Sequence, residues 1–115
     1  MATIAQLRNR ALKKLRVLEE GETPTNEVIA DVLAAYTSLH DRLSKDGAIT
    51  WDFDEDIPSE AERPMVAILA AEMADDFGVD EMRYQRLLAE STRARGDLYM
   101  TQNNYISTET EAEYY

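Results

Sequence analysis

The chain contains no cysteine, a single histidine, and few glycines and prolines. Without cysteine it has no disulfide, no thiolate metal site and no cysteine nucleophile. Metal and catalytic histidines usually act beside a second histidine or a thiolate, so we expect His40 to be a satisfied residue at the core boundary. The four glycines are too far apart to form a glycine-rich phosphate loop. No apolar run approaches the roughly 18 residues of a membrane span, so no membrane partner is expected.

Basic residues are the minority, 12 against 23 acidic residues, and the two signs separate along the chain. Residues 1–18 hold five bases and no acid. These bases are Arg8, Arg10, Lys13, Lys14 and Arg16. Such asymmetry suits either nucleic acid or the acidic surface of a second copy. Because the net charge of −11 repels DNA phosphate and the five bases wrap around their helix, we favour contact with a neighbouring copy.

Hydrophobic spacing predicts a mostly α protein with a four-helix bundle-like body. The predicted helices cover residues 4–18, 24–45, 65–77 and 80–100. The third helix begins with seven consecutive apolar residues, so we expect it to be central and buried. Glycines 21, 47 and 78 are the predicted left-handed stops of the first three helices.

Two sequence patterns predict capping boxes at helix starts. Thr3 is followed three residues later by Gln6, and Ser59 is followed by Glu62. Pro64 lies too deep for an undisturbed helix beginning at Ser59. We therefore expect either a short turn before a regular helix, or a kink.

An aromatic segment at residues 46–53 interrupts the helical pattern. Ile49, Trp51 and Phe53 alternate with small or polar residues, which predicts a short half-buried strand or hairpin insertion. A strand edge without a partner favours pairing with another chain, and so favours assembly over catalysis. Trp51 and Phe53 are expected to hold this segment against its own helices or against a neighbouring copy.

Acidic residues follow the aromatic segment without forming a recognisable metal or catalytic site. Asp52, Asp54 and Asp56 alternate as in a calcium loop, but the glycine and glutamate positions of that motif are Ile57 and Arg63. No carboxylate pair stands out as a general acid and base. We therefore predict no enzymatic activity, no catalytic residue, no metal and no cofactor.

The last segment, residues 101–115, lacks a clear helical period and contains no base. We expect it to be an extended C-terminal tail attached to a helical domain of residues 1–100. Aromatic anchors on a polar segment are typical of a peptide that orders on binding. The candidate anchors are Tyr105, Ile106, Tyr114 and Tyr115.

The order of features over residues 3–100 resembles the head-to-tail adaptor family of tailed bacteriophages, also called head completion or tail accessory factors. The likeness is strongest to the type found in short-tailed Salmonella phages. It rests on a basic helix, a long amphipathic helix, a glycine turn with aromatics, an acidic loop, and a helix ending in Ala-Asp-Asp-Phe-Gly. These features occupy residues 7–15, 28–43, 46–53, 54–58 and 74–78. Two positions depart from the family pattern, which often has glycine at Arg16 and proline at Asp75.

The resemblance implies a structural virion protein at the head–tail junction, assembled in the host cytoplasm. Such proteins form a ring, commonly of twelve copies, beneath the portal protein. The ring extends the DNA channel, helps retain the packaged genome, and supports a downstream tail or nozzle protein. DNA would pass through without sequence-specific binding.

By position, Tyr105, Ile106, Tyr114 and Tyr115 would bind the portal. The five bases of residues 1–18 would face a neighbour's acids, with Trp51 and Phe53 as further inter-subunit candidates. A helical protein-protein interaction module unrelated to virions remains the alternative.

Overall fold

The computed structural model describes the backbone of residues 1–19 and 21–114, and the side chains of residues 1–19 and 21–100. Within these ranges the chain is mostly helical, compatible with the predicted helical bundle. The α-helices are α1 (Ile4–Lys14), α2 (Asn26–Lys45), α3 (Glu62–Met73) and α4 (Glu81–Tyr114). A 3₁₀ turn, Ser59–Ala61, leads into α3. None of the helices in the described part of the chain is long and apolar enough to cross a membrane.

Helix α3 is the centre of the fold and packs against α1, α2 and α4. Met65 and Ile68 are completely inaccessible to solvent, and Leu69 is nearly so. Full burial of such a side chain is worth about 1.5–3 kcal/mol. The expectation of a central, buried third helix is confirmed, because its apolar residues meet neighbours on several sides.

One of the two predicted capping boxes forms. The Thr3 hydroxyl accepts a hydrogen bond from the Gln6 amide at 3.1 Å, and the Gln6 side chain accepts one from the Thr3 amide at 3.0 Å. The second box is wrong, since Ser59 lies inside the 3₁₀ turn and its hydroxyl accepts from the Met1 amino group instead. Pro64 falls in the first turn of α3, where an amide has no intrahelical acceptor. The expected short turn before a regular helix is therefore confirmed.

Helix α1 ends earlier than the hydrophobic spacing predicts. It stops at Lys14, and Arg16 adopts a left-handed backbone with φ of 61°. The Val17 amide then donates to the Leu12 carbonyl at 3.1 Å, which closes the helix end. The predicted stop at Gly21 is thus wrong, because local hydrogen bonds reverse the chain first. Leu18 is still buried, but it reaches the core from outside the helix.

The predicted strand or hairpin at residues 46–53 is also wrong, since no strand occurs in the described part of the chain. The segment is an irregular loop in which Ile49 and Trp51 are buried while Phe53 is partly exposed. The β pairing nearby is an isolated bridge between Ala2 and Ile57. Alternating residues report which side chains face the core, but a strand also needs a neighbouring backbone along its length.

Helix α4 continues through the backbone of residues 101–114, where an extended tail was predicted. No proline or glycine follows Gly96 to interrupt the helix. The side chains of residues 101–115 lie outside the described residues. The predicted portal contacts of Tyr105, Ile106, Tyr114 and Tyr115 therefore stay predictions, as does the division into two domains.

Candidate protein-interaction site

The histidine fixes the loop that follows α2. His40 is only 9% exposed, and its Nε2 lies 2.9 Å from the Trp51 carbonyl oxygen. Because a carbonyl only accepts hydrogen bonds, this nitrogen carries the proton and donates it. The expected structural role of His40 is confirmed, and the interaction holds Trp51 against α2.

Tyr36 completes the aromatic anchor of the loop. The Trp51 indole Nε1 donates to the Tyr36 hydroxyl at 3.3 Å, and the ring of Phe53 lies 5.6 Å from that of Tyr36. Burial raises the pKa of Tyr36, while the hydrogen bond from Trp51 opposes that rise. Trp51 thus serves its own chain, whereas Phe53, 38% exposed, also presents a surface to solvent.

Residues 52–56, the acidic loop, project from this anchor. The Asp52 amide donates to the Glu55 carboxylate at 3.1 Å, and the Glu55 amide donates to the Asp52 carbonyl at 3.1 Å. These two bonds shape a compact turn. Asp54 and Asp56 are exposed, and neither has an ion-pair or hydrogen-bond partner within the described residues. The loop therefore displays fixed backbone and free carboxylates.

A second charged feature, the basic cleft, lies where the end of α1 meets the beginning of α4. It is a recess of about 180 Å³. Its charged lining consists of four bases and one acid, namely Lys14, Arg16, Arg83, Arg86 and Glu90. The cleft is therefore a local concentration of positive charge on a protein whose net charge is −11.

The interior of the basic cleft is only partly satisfied. The Arg83 guanidinium donates to the Lys14 carbonyl, but its buried Nε has no partner within the described residues. Lys14 Nζ pairs with the Glu90 carboxylate at 2.7 Å. Since Glu90 balances Lys14, the charges of Arg16 and Arg86 remain without a described ion-pair partner. The arrangement suits an incoming anion.

The five bases predicted as one inter-subunit set are divided between surfaces. Lys14 and Arg16 line the basic cleft, whereas Arg10 and Lys13 line a separate shallow surface. The fifth base, Arg8, donates from Nε to the Asn9 side chain at 3.1 Å.

Arg83 and Arg86 were missed as site residues, because sequence analysis gave no α4 base a place among the candidates. Their spacing of three puts them on one face of α4. That signal was present in the sequence, but the partner surface came from α1.

The acidic loop and the basic cleft lie toward opposite ends of the molecule. Leu98 of α4 lines a small cavity with Trp51, next to the loop, while Arg83 lines the cleft. At a rise of 1.5 Å per residue, Arg83 and Leu98 are about 22 Å apart along the helix. Helix α1 gives a similar ruler, since its 11 residues span about 16 Å between the Ala2–Ile57 bridge and Lys14.

Catalytic or metal chemistry finds no comparable support. Among the described residues, no group of three or more histidines and carboxylates is placed to hold a metal ion. The chain matches no protein-family model, no curated protein and no solved structure.

Proposed function

We propose that this protein is a head-to-tail adaptor of a tailed bacteriophage, assembled as a ring beneath the portal protein. The order of its elements supports the proposal, because a short basic helix, a long helix, an acidic loop and a buried helix follow one another as in that family. The proposed role is structural. The ring extends the DNA channel, helps retain packaged DNA and supports the next tail component.

The observation that carries the proposal is the placement of unpaired charges of opposite sign at opposite ends of one small body. A two-fold dimer brings the same patch of each copy together, which would place like charges face to face. Contact between unlike ends is instead heterologous, and such contacts give a closed ring or an open filament. A portal ring would supply the template that favours closure.

The length of α4 supports a portal contact. Among the described residues, the last buried side chain on α4 is that of Leu98, yet the helix continues to Tyr114. From Met100 to Tyr114 the helix rises about 21 Å. This arm would carry Tyr105, Ile106, Tyr114 and Tyr115 to the portal surface, where tyrosines are effective anchors.

The acidic excess supports a channel role. A conduit for DNA functions best when its wall does not retain the phosphate backbone, and negative charge lowers phosphate affinity. The net charge of −11 per copy is multiplied around a ring. DNA therefore passes without sequence-specific contact.

Co-assembly with the portal protein of the virus that encodes this chain tests the proposal. Light scattering after size-exclusion chromatography should show the portal gaining several 13.1 kDa chains, twelve in a complete ring. A portal whose mass does not change in the presence of excess protein would contradict the proposal. That result would favour a helical interaction module unrelated to virions.

Deletion of residues 101–115 tests the assigned role of the arm. We expect portal binding to be lost while the urea midpoint changes little, because the described core ends at Leu98. The double substitution of Tyr114 and Tyr115 by alanine is the milder matched variant and should weaken binding partially. If the deleted form binds the portal as well as the full chain does, the arm is not the contact.

A further inference from the structure

We infer that the basic cleft of one copy receives the acidic loop, residues 52–56, of the next copy. The inference deepens the proposed function and rests on it, since it names the groups that join neighbours in the ring. It also assigns inter-subunit roles to Arg83 and Arg86.

The cleft has the chemistry of a carboxylate receptor. Guanidinium groups bind carboxylates through paired, charge-assisted hydrogen bonds. The buried Nε of Arg83 lacks a described acceptor, and Arg86 lacks a described counterion. A recess of about 180 Å³ exceeds several times the ~30 Å³ that one water occupies in the liquid, so an aspartate side chain fits.

The acidic loop has the properties that the cleft requires of its occupant. Its carboxylates are exposed, and the turn between Asp52 and Glu55 presents them on an ordered backbone. The aromatic anchor beneath holds that backbone, which reduces the ordering cost of binding. Asp54 and Asp56 then offer two carboxylates without described partners.

The loop of the same chain cannot fill the cleft. The two features are about 16–22 Å apart along α1 and α4, whereas the Debye length is about 10 Å in 0.1 M salt. A nucleic-acid phosphate is a poorer occupant, because the protein as a whole repels it. A second copy brings its loop with the complementary charge and the correct end first.

The backbone of Arg16 adds support from a different direction. Its φ of 61° is a conformation that glycine adopts without strain and arginine does not. Strained residues persist where the side chain is useful. Here the side chain contributes a cation to the rim of the cleft.

Reciprocal charge reversal provides the test. One variant carries Arg83→Glu and Arg86→Glu, and the other carries Asp54→Lys and Asp56→Lys. Sedimentation velocity at an ionic strength of about 20 mM, where the Debye length is about 20 Å, measures self-association. We expect the wild-type protein to associate and each variant alone to associate at least about tenfold more weakly, because like charges then face each other.

An equimolar mixture of the two variants should recover association to within about threefold of wild type, a small fraction of the loss. In alternating order, each cleft then meets a loop of opposite charge. A matched control carries Arg93→Glu and Arg95→Glu on the same helix outside the cleft, and it should associate as wild type does. Recovery in the mixture cannot arise from misfolding, so it separates the contact from a structural defect.

The absence of native cysteine permits a second measurement. A mixture of Asp54→Cys and Arg86→Cys chains should form an intermolecular disulfide under mild oxidation, because that bond requires Cβ atoms about 4 Å apart. Asp54→Cys mixed with Arg10→Cys is the control, since Arg10 lies outside the cleft. Equal cross-linking in both mixtures would overturn the assignment.

The outcomes separate this inference from the proposed function. If wild type associates and the variants associate equally well, the cleft and the loop are not partners, yet portal binding is unaffected. Lack of wild-type association at low ionic strength also overturns the inference. Loss of single-stranded DNA binding by the cleft variant, without change in association, would identify a phosphate site instead. Failure of portal co-assembly overturns the proposed function itself.

Discussion

Helices α1 and α2 end through the same backbone motif with different residues at its left-handed position. In α2, Gly47 has φ of 78°, its amide donates to Ser44, and the Ala48 amide donates to Leu43. In α1, Arg16 has φ of 61°, and the corresponding bonds run from Arg16 to Lys13 and from Val17 to Leu12. Both are Schellman endings, for which glycine is the usual left-handed residue.

The difference shows where each end of the molecule places its stability. The glycine ending passes without strain into a loop held by buried aromatic groups. The arginine ending carries a strain of roughly 1 kcal/mol and places a cation in the basic cleft. One end is thus optimised for folding, while the other retains strain beside unpaired charge, as binding sites often do.

Replacement of Trp51 by alanine should produce the largest effect, because it removes the anchor that follows the glycine ending. Trp51 is 8% exposed, and its loss should lower the free energy of unfolding by about 3 kcal/mol. Urea denaturation followed by circular dichroism measures this. Phe53→Ala, at a site that is 38% exposed, should cost less than about 1.5 kcal/mol. Equal losses would show that the loop is not anchored through Trp51.

Gly47→Ala should impose on α2 the strain that α1 already carries. No atom lies within 4 Å of the added Cβ, so the cost is conformational, about 1–2 kcal/mol. Thermal and urea unfolding measure it. Gly47→Asn should cost less, since asparagine tolerates the left-handed region. A neutral Gly47→Ala would mean that the ending tolerates a side chain without strain.

Arg16→Gly should act in the opposite direction and raise the free energy of unfolding by about 0.5–1 kcal/mol. Relief of strain exceeds the greater entropy of glycine in the unfolded chain. Arg16→Ala removes the charge but keeps the Cβ, so its stability should remain near wild type. Both variants should weaken self-association. Stabilisation by alanine equal to that by glycine would assign the effect to charge rather than to the backbone.

Sequence patterns predicted the parts of the fold that depend on neighbours along the chain. The capping box of Thr3 and Gln6, the glycine turn after α2, and the buried character of α3 all follow from residues close in sequence. The second capping box failed because Ser59 lies inside a 3₁₀ turn and bonds to Met1, a residue distant in sequence. The strand failed because burial alternates in residues 46–53 without a backbone beside them.

The candidate site was predictable in its charge but not in its composition. Residues 1–18 announced a basic surface, yet only Lys14 and Arg16 of that set line the basic cleft. Arg83 and Arg86 join them because α4 packs on α3 and brings its first turns to the end of α1. Such a meeting of residues distant in sequence depends on helix packing, which periodicity does not specify.

By itself the sequence determined a mostly helical, strongly acidic chain without cysteine, with a basic first helix and an acidic segment after its tryptophan. Composition and local spacing suffice for these properties, since each depends on residues within a few positions of one another. Tertiary structure alone decided that Arg16 is left-handed, that Arg83 lies against Lys14, and that the two unpaired charge clusters occupy opposite ends. Those features arise from the packing of α1 and α4 on α3, in which distant segments meet.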